Sequence, residues 1–262
     1  MPTVTPDATQ VITLVLPHRD RRRLGVRAVL TTPMVLLAGM IALYLWVHGR
    51  QLDIVEQRSL TRANLLEALQ QHLVLVGVST AVVVLIAVPL GILLSRPGAR
   101  RIAPIVNAVT VAAQSLPSFG LIVLFAITLG LGPRYAIYAL IISALLPVLS
   151  NTVTGLQQID PELKEAASGI GMTRGQVLLR VELPLAVPII LAGMRTAIVW
   201  NVGTATVAAF AGGGGLGSVI TVGLIQNRDV VTIVGATLTA VLALFLDHVA
   251  RVVQELLTPQ GL

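Results

Sequence analysis

Cysteine is absent from all 262 residues, which excludes structural disulfides, thiolate metal sites and thiol catalysis. Charge is scarce: 11% of the residues are Asp, Glu, Lys or Arg, where a soluble domain averages about 25%. So little charge does not make a water-facing surface. Aromatic residues amount to 3%, too few for base-stacking platforms, so the net charge of +6 does not point to nucleic acid. The arginines gather instead at the ends of apolar runs, where they orient a chain in a bilayer. His18, His48 and His72 sit at membrane edges without carboxylate clusters, so no metal site is expected. Neither a nucleophile–base–orienter set nor a Gly-Lys-Ser/Thr phosphate loop occurs, and the chain is expected to be non-catalytic, with no cofactor of its own. Gly212, Gly214 and Gly217 have dinucleotide-fingerprint spacing, but they follow an apolar run rather than a strand. A flexible turn or short re-entrant stretch is expected there.

What is plentiful is hydrocarbon: 55% of the residues are hydrophobic and the mean hydropathy is +0.87. The expected fold is an all-α polytopic membrane protein with about six transmembrane helices. After a tail at 1–28, Val29–Val47 is about as long as the roughly 20 residues that cross 30 Å of hydrocarbon. It is too long for a signal peptide and lacks a small-residue cleavage site, so a retained span is expected. A polar stretch at 48–71 leads to the second span, Leu73–Leu94, stopped by Pro97 and Gly98. The third, Ile102–Leu131, is overlong and carries Pro117, so it should tilt or kink. The fourth is Tyr135–Thr154, the fifth Leu185–Ala211 and the sixth Val230–Ala250.

Between the fourth and fifth spans lies a polar island. Asp160 caps a short helix, Pro161 suits its first turn, and Glu162 and Glu165 lie near the positive end of its dipole. Gly169 and Gly171 end that helix. A second one, Thr173–Val181, is expected to stop at Pro184. Arg19, Arg21, Arg22, Arg23, Arg27, Arg96, Arg100, Arg101, Lys164, Arg174, Arg180 and Arg251 fall on the island's side, against Arg50, Arg58, Arg62, Arg134 and Arg228 on the other. The positive-inside rule then places the island and both termini in the cytoplasm.

The island reads Glu165-Ala166-Ala167, three residues, Gly171, nine residues, Val181, one residue, Leu183-Pro184. This resembles the EAA signature of the membrane subunits of bacterial ABC importers, with Val181 where Ile is usual. Further stretches look like permeases for glycine betaine, choline and carnitine: Gly77–Thr80, Pro89–Ser95, Gln114–Ser118, Leu146–Thr152, Gly155-Leu156, Ala192–Ala197 and Gly212–Gly217. The similarity covers roughly 65–250 and implies a type I, binding-protein-dependent permease of the bacterial inner membrane. Its five-helix core at 65–254 would hold the EAA loop at 157–184, an extra N-terminal span and external loop would occupy 29–64, and a tail would follow at 255–262. The resemblance implies cytoplasmic ABC ATPase subunits carrying ATP-Mg, a second permease chain as homodimer or paralogue, an external substrate-binding protein and membrane lipid as partners, with no nucleic acid. Glu162, Glu165, Ala166, Ala167, Gly169, Gly171 and Arg174 would form the ATPase-coupling surface, Glu165 facing a basic group of the partner. The substrate would be a compatible solute or another small solute such as an amino acid or a sulfonate.

Arg195 is the one charge well inside a span, roughly 16 Å along the helix from Pro184. It either snorkels to the interface or faces a cavity or partner. An exposed Arg195 would repel a cation, whereas a zwitterion offers it a carboxylate. Asn107, Gln114, Asn151, Trp200 and Asn201 either line the same path or make interhelical contacts. Trp200 would supply a π-face to a quaternary amine. Asp247-His248 is read as interfacial. An ion-coupled transporter working alone would want carboxylates or broken helices at the midplane, and a scaffold protein would not need the EAA spacing.

Overall fold

The computed structural model describes residues 26–99 and 102–258. Residues 1–25 with the arginines at 19 and 21–23, Arg100, Arg101 and the last four residues of the C-terminal tail lie outside the described residues.

Every regular element described is helical. The long ones are α1 (Val26–His48), α3 (Arg62–Leu94), α6 (Pro133–Gln157), α9 (Leu183–Ala208) and α11 (Asp229–Leu257), with shorter α2 (Ile54–Ser59), α4 (Ala103–Ser115), α5 (Ser118–Thr128), α7 (Pro161–Gly169), α8 (Arg174–Val177) and α10 (Leu216–Ile225) between them. Five helical segments are long and apolar enough to cross a membrane. The pair α4–α5 covers the remaining expected span. It is not one tilted or kinked helix: the chain breaks at Leu116, and Pro117 (φ −56°, ψ 127°) starts α5. Proline has no N–H to donate and drives the residue before it out of the helical region, so the ladder stops there.

A second difference concerns Pro184. The hairpin's second arm does not stop there. Leu178–Glu182 forms a π-turn in which Leu183 N–H reaches back to Leu178 C=O, and the helix runs on. Pro184 falls in the first turn of α9, where a missing N–H costs little, and the wide π-turn relieves the crowding its ring causes on the preceding carbonyls. Arg174–Ala211 is therefore one span-length helical segment of 38 residues.

Other limits moved outward. α3 begins at Arg62 rather than Leu73, started by Thr61, whose Oγ1 accepts from Asn64 N–H (3.4 Å). At 33 residues it is about 50 Å long and outreaches the hydrocarbon. α11 continues past Ala250 to Leu257. After the glycine run, α10 turns back into the bundle and packs on α3, α9 and α11. Gly212, Gly214 and Gly215 take φ of 75°, 78° and 76°, values that only glycine adopts freely.

The centre of the bundle is α3, α6 and α9, joined through small residues. A Cβ placed on Gly193 of α9 would stand 2.7 Å from both Pro147 O and Asn151 Cβ of α6. Small residues at such crossings let backbones approach where lipid supplies no hydrophobic drive between helices. Val83, Ala87, Ala144, Val148 and Ala197 fill the layer beside it, all fully buried.

One end of the bundle carries the α7–α8 hairpin. The other carries the turns: Gly132 N–H donates to Ala211 O (2.9 Å), Gly215 N–H donates to Gln71 Oε1 (2.9 Å), and Arg228 pairs with Asp53 (2.8 Å). That last pair ties α2, which has a full capping box between Asp53 and Glu56, to the start of α11. α1 packs along α11, which puts Val26 and Leu257 at the hairpin end.

Candidate functional site

The hairpin is built by local chemistry. Asp160 Oδ1 accepts from Glu162 N–H (2.9 Å) and Pro161 opens α7. Gly171 turns the chain with φ 90°, and its N–H donates to Ser168 O (3.0 Å) while Met172 N–H donates to Ala167 O (3.2 Å). Thr173 and Gln176 then form a reciprocal capping box (3.4 and 2.8 Å). No side chain crowds Gly169 or Gly171, so at Gly171 the backbone angle is what requires glycine.

Glu162, Glu165, Ala166, Gly169, Gly171 and Arg174 are all exposed, while Ala167 is buried and fastens α7 beneath them. Glu165 makes no ion pair among the described residues. Ile170 at the tip is 78% exposed and Leu179 66%, two large apolar side chains on a protruding, charged knob. The knob is anchored to both neighbouring helices. Lys164 Nζ donates to Leu156 O at the end of α6 (3.2 Å). Arg96, just past α3, pairs with Glu182, which is buried in the π-turn. The spacing of the motif did not reveal Glu182 as an anchor, because its partner is 86 residues away.

The second region is an open cavity of about 760 Å³ along α9, bordered by Ser118 of α5 and Asp247 of α11. Positions 192, 195, 196, 199, 200, 203 and 207 face it, one stripe at helical spacing. Arg195 neither snorkels nor stands alone: its Nε and Nη2 grip Asp247, Nη2 to Oδ2 at 2.7 Å. Arg251 Nη2 reaches the same Oδ2 at 3.3 Å. Asp247 lies ten residues before the end of α11, about 15 Å from it. Arg251 reads as a terminus, but Val252, Val253, Leu256 and Leu257 continue the helical period, and α11 runs on past it to Leu257.

Trp200 is 44% exposed and lines this cavity with Arg195. Asn201 does not. It is fully buried on the other side of α9 and donates to Ser79 Oγ and Thr80 Oγ1 of α3, both at 3.0 Å. Asn151 is half-buried, donates to Pro147 O (2.7 Å) and packs against Gly193. Asn107 and Gln114 lie on α4, and their side chains are outside the described residues. His72, read as a membrane-edge residue, is fully buried within hydrogen-bonding distance of Val202 O (3.2 Å, Nε2) and against Gly215. Among the described residues no cluster of His, Cys, Asp and Glu is arranged to hold a metal ion.

The chain is 39% identical to the osmoprotectant import permease protein OsmY of Salmonella typhimurium, over 86% of this chain and 92% of that one. It is 41% identical to the choline transport system permease protein OpuBB of Bacillus subtilis, over 76% and 91%. Among solved structures it resembles a chain of the MetNI methionine ABC transporter in an inward-facing conformation, with TM-score 0.66 and 23% identity over 74% of this chain and 96% of that one. At that identity the likeness speaks for the fold alone. The sequence pattern described as binding-protein-dependent transport system inner membrane component matches residues 87–260. That stretch holds both the anchored hairpin and the Arg195 cavity, and by it the chain belongs to this family of inner-membrane transport components.

Proposed function

We propose that this chain is the permease subunit of an ATP-driven importer for a compatible solute of the quaternary-amine type, working with a second permease chain. The capped, anchored and exposed hairpin carries this reading. A short polar knob at the end of a bundle cannot rest in hydrocarbon, and its apolar tip residues Ile170 and Leu179, flanked by Glu165 and Arg174, suit a groove on another protein. That protein is a cytoplasmic ATPase carrying ATP-Mg, so the hairpin end faces the cytoplasm, as do both termini. The opposite end, with its glycine turns, receives solute from an external binding protein.

The core at 65–254 does this work, and the span and loop at 29–64 are an addition held by the Arg228–Asp53 pair and by packing on α11. The relatives' names, an osmoprotectant import permease and a choline transport permease, support the solute class. Asp247 places a carboxylate in a span, which an ion-coupled transporter would need, but two guanidinium groups already hold it.

Closure of the ATPase pair on ATP would push the hairpins and, through Arg96–Glu182 and the continuous α8–α9 segment, tilt the helices that line the path. Co-purification tests this: tagged chain should bring down an ATPase, Glu165→Lys should weaken that association, and proteoliposomes of the whole assembly should accumulate solute only with ATP. Uptake by this chain alone without ATP would overturn the proposal.

A further inference from the structure

The Arg195 cavity has a charge arrangement that separates two kinds of quaternary amine. The pair sits deep: Arg195 is about 18 Å from the start of α9, near the middle of a span. Its side chain is 30% exposed and that of Asp247 19%. An exposed ion pair at that depth is not stable against lipid, so it faces water or protein.

Asp247 engages Arg195 through Nε and Nη2 and takes a third contact from Arg251. Its charge is therefore committed to two cations, and the three groups together carry one net positive charge. The far edge of the Arg195 guanidinium, Nη1, makes no hydrogen bond among the described residues. Two N–H donors on a fixed, oriented plane, next to a carboxylate that cannot neutralise them further, form a carboxylate-binding edge. Five residues on, about 7.5 Å further along α9, the exposed ring of Trp200 borders the same cavity and offers a π-face to an alkylammonium group.

We infer that this cavity is a binding site on the solute path for zwitterions bearing both a carboxylate and a quaternary ammonium, with Arg195 holding the carboxylate and Trp200 the ammonium. A quaternary amine that ends in a hydroxyl gains nothing from Nη1 and meets the net positive charge. The permease thus adds a selection step of its own, favouring glycine betaine over choline. This rests on the reading of the chain as a solute permease.

The experiment is ATP-driven uptake of radiolabelled glycine betaine and of choline by proteoliposomes holding the complete transporter with saturating binding protein. With one binding protein throughout, a change in the ratio of the two uptakes reports on the permease. Wild type should carry glycine betaine. Arg195→Gln should lower its uptake at least tenfold while choline uptake, where present, changes less than twofold. The double variant Arg195→Gln/Asp247→Asn, which removes both charges of the pair and leaves the partly exposed Arg251 as the one cation there, should keep the same defect. Trp200→Leu should lower uptake of both amines alike.

Restoration of glycine betaine uptake in the double variant would make the pair a helix strut and overturn the inference. So would equal loss of both solutes in Arg195→Gln with the complex intact, or a wild type that carries choline alone. Release of the second permease chain in Arg195→Gln, with the uptake ratio unchanged, would make the cavity a subunit contact and overturn it as well. A wild type that accumulates neither amine, yet assembles with its ATPase, would remove the choice of solute class on which the inference stands.

Discussion

The hairpin and the Arg195 cavity lie on the same helical segment and are assembled by opposite means. In the hairpin nearly every determining contact spans two to five residues: Asp160 with Glu162, Thr173 with Gln176, Met172 with Ala167. In the cavity and the α3–α9 seam the contacts between helices join residues 52 to 130 apart, such as Arg195 with Asp247 and His72 with Val202. Locally closed structure holds its shape while the bundle around it shifts. A site closed by distant helices changes whenever those helices move. The first suits a part that must be gripped, the second a part that must open and shut.

Substitutions sharpen or break this contrast. The largest effect is expected where the two regions meet. Arg96→Leu leaves Glu182 buried without its cation, a loss of about 3–5 kcal/mol, discounted because Arg96 is itself partly exposed. Thermal unfolding in detergent should show a large fall, and an unchanged midpoint would mean the hairpin root is not anchored by that pair. Gly193→Val comes next. It forces α6 and α9 apart against backbone, costing about 1–3 kcal/mol, and should lower the unfolding temperature of the whole chain. Thr173→Ala removes one cap, worth about 1 kcal/mol, and should reduce ATPase binding while leaving that unfolding temperature within error. A fall in bundle stability there would erase the distinction. Asn201→Leu, which removes two interhelical hydrogen bonds of about 0.6 kcal/mol each, should lower the unfolding temperature only slightly, with uptake retained.

The same contrast explains what could be read from the residues alone. The first arm of the hairpin was legible down to its cap because Asp160-Pro161 and Gly171 act within one or two turns, whereas the Thr173–Gln176 box, equally local, went unread. The apolar helices were legible as hydropathy runs, although their ends were not, since the ends of α3 and α11 project beyond the hydrocarbon as amphipathic helix. Pro184 was misleading because proline is a stop signal inside a ladder and an ordinary residue in a first turn, and only the π-turn before it decides which applies. Asp247 was missed for a similar reason. Its partner depends on the rotation of α9 against α11, which no single stretch encodes. Asn201 and Trp200 are adjacent in the chain, yet one is buried against α3 and the other faces the cavity, a choice fixed by packing alone.

The absence of a loop between α8 and α9 has a mechanical result. From Arg174 to Ala211 the chain is a single rod of 38 residues, about 57 Å long. A twist applied at its exposed foot arrives at the guanidinium of Arg195 and at the glycine turn with no hinge of free chain to absorb it. The π-turn is the place along that shaft where the winding can gain or lose a residue.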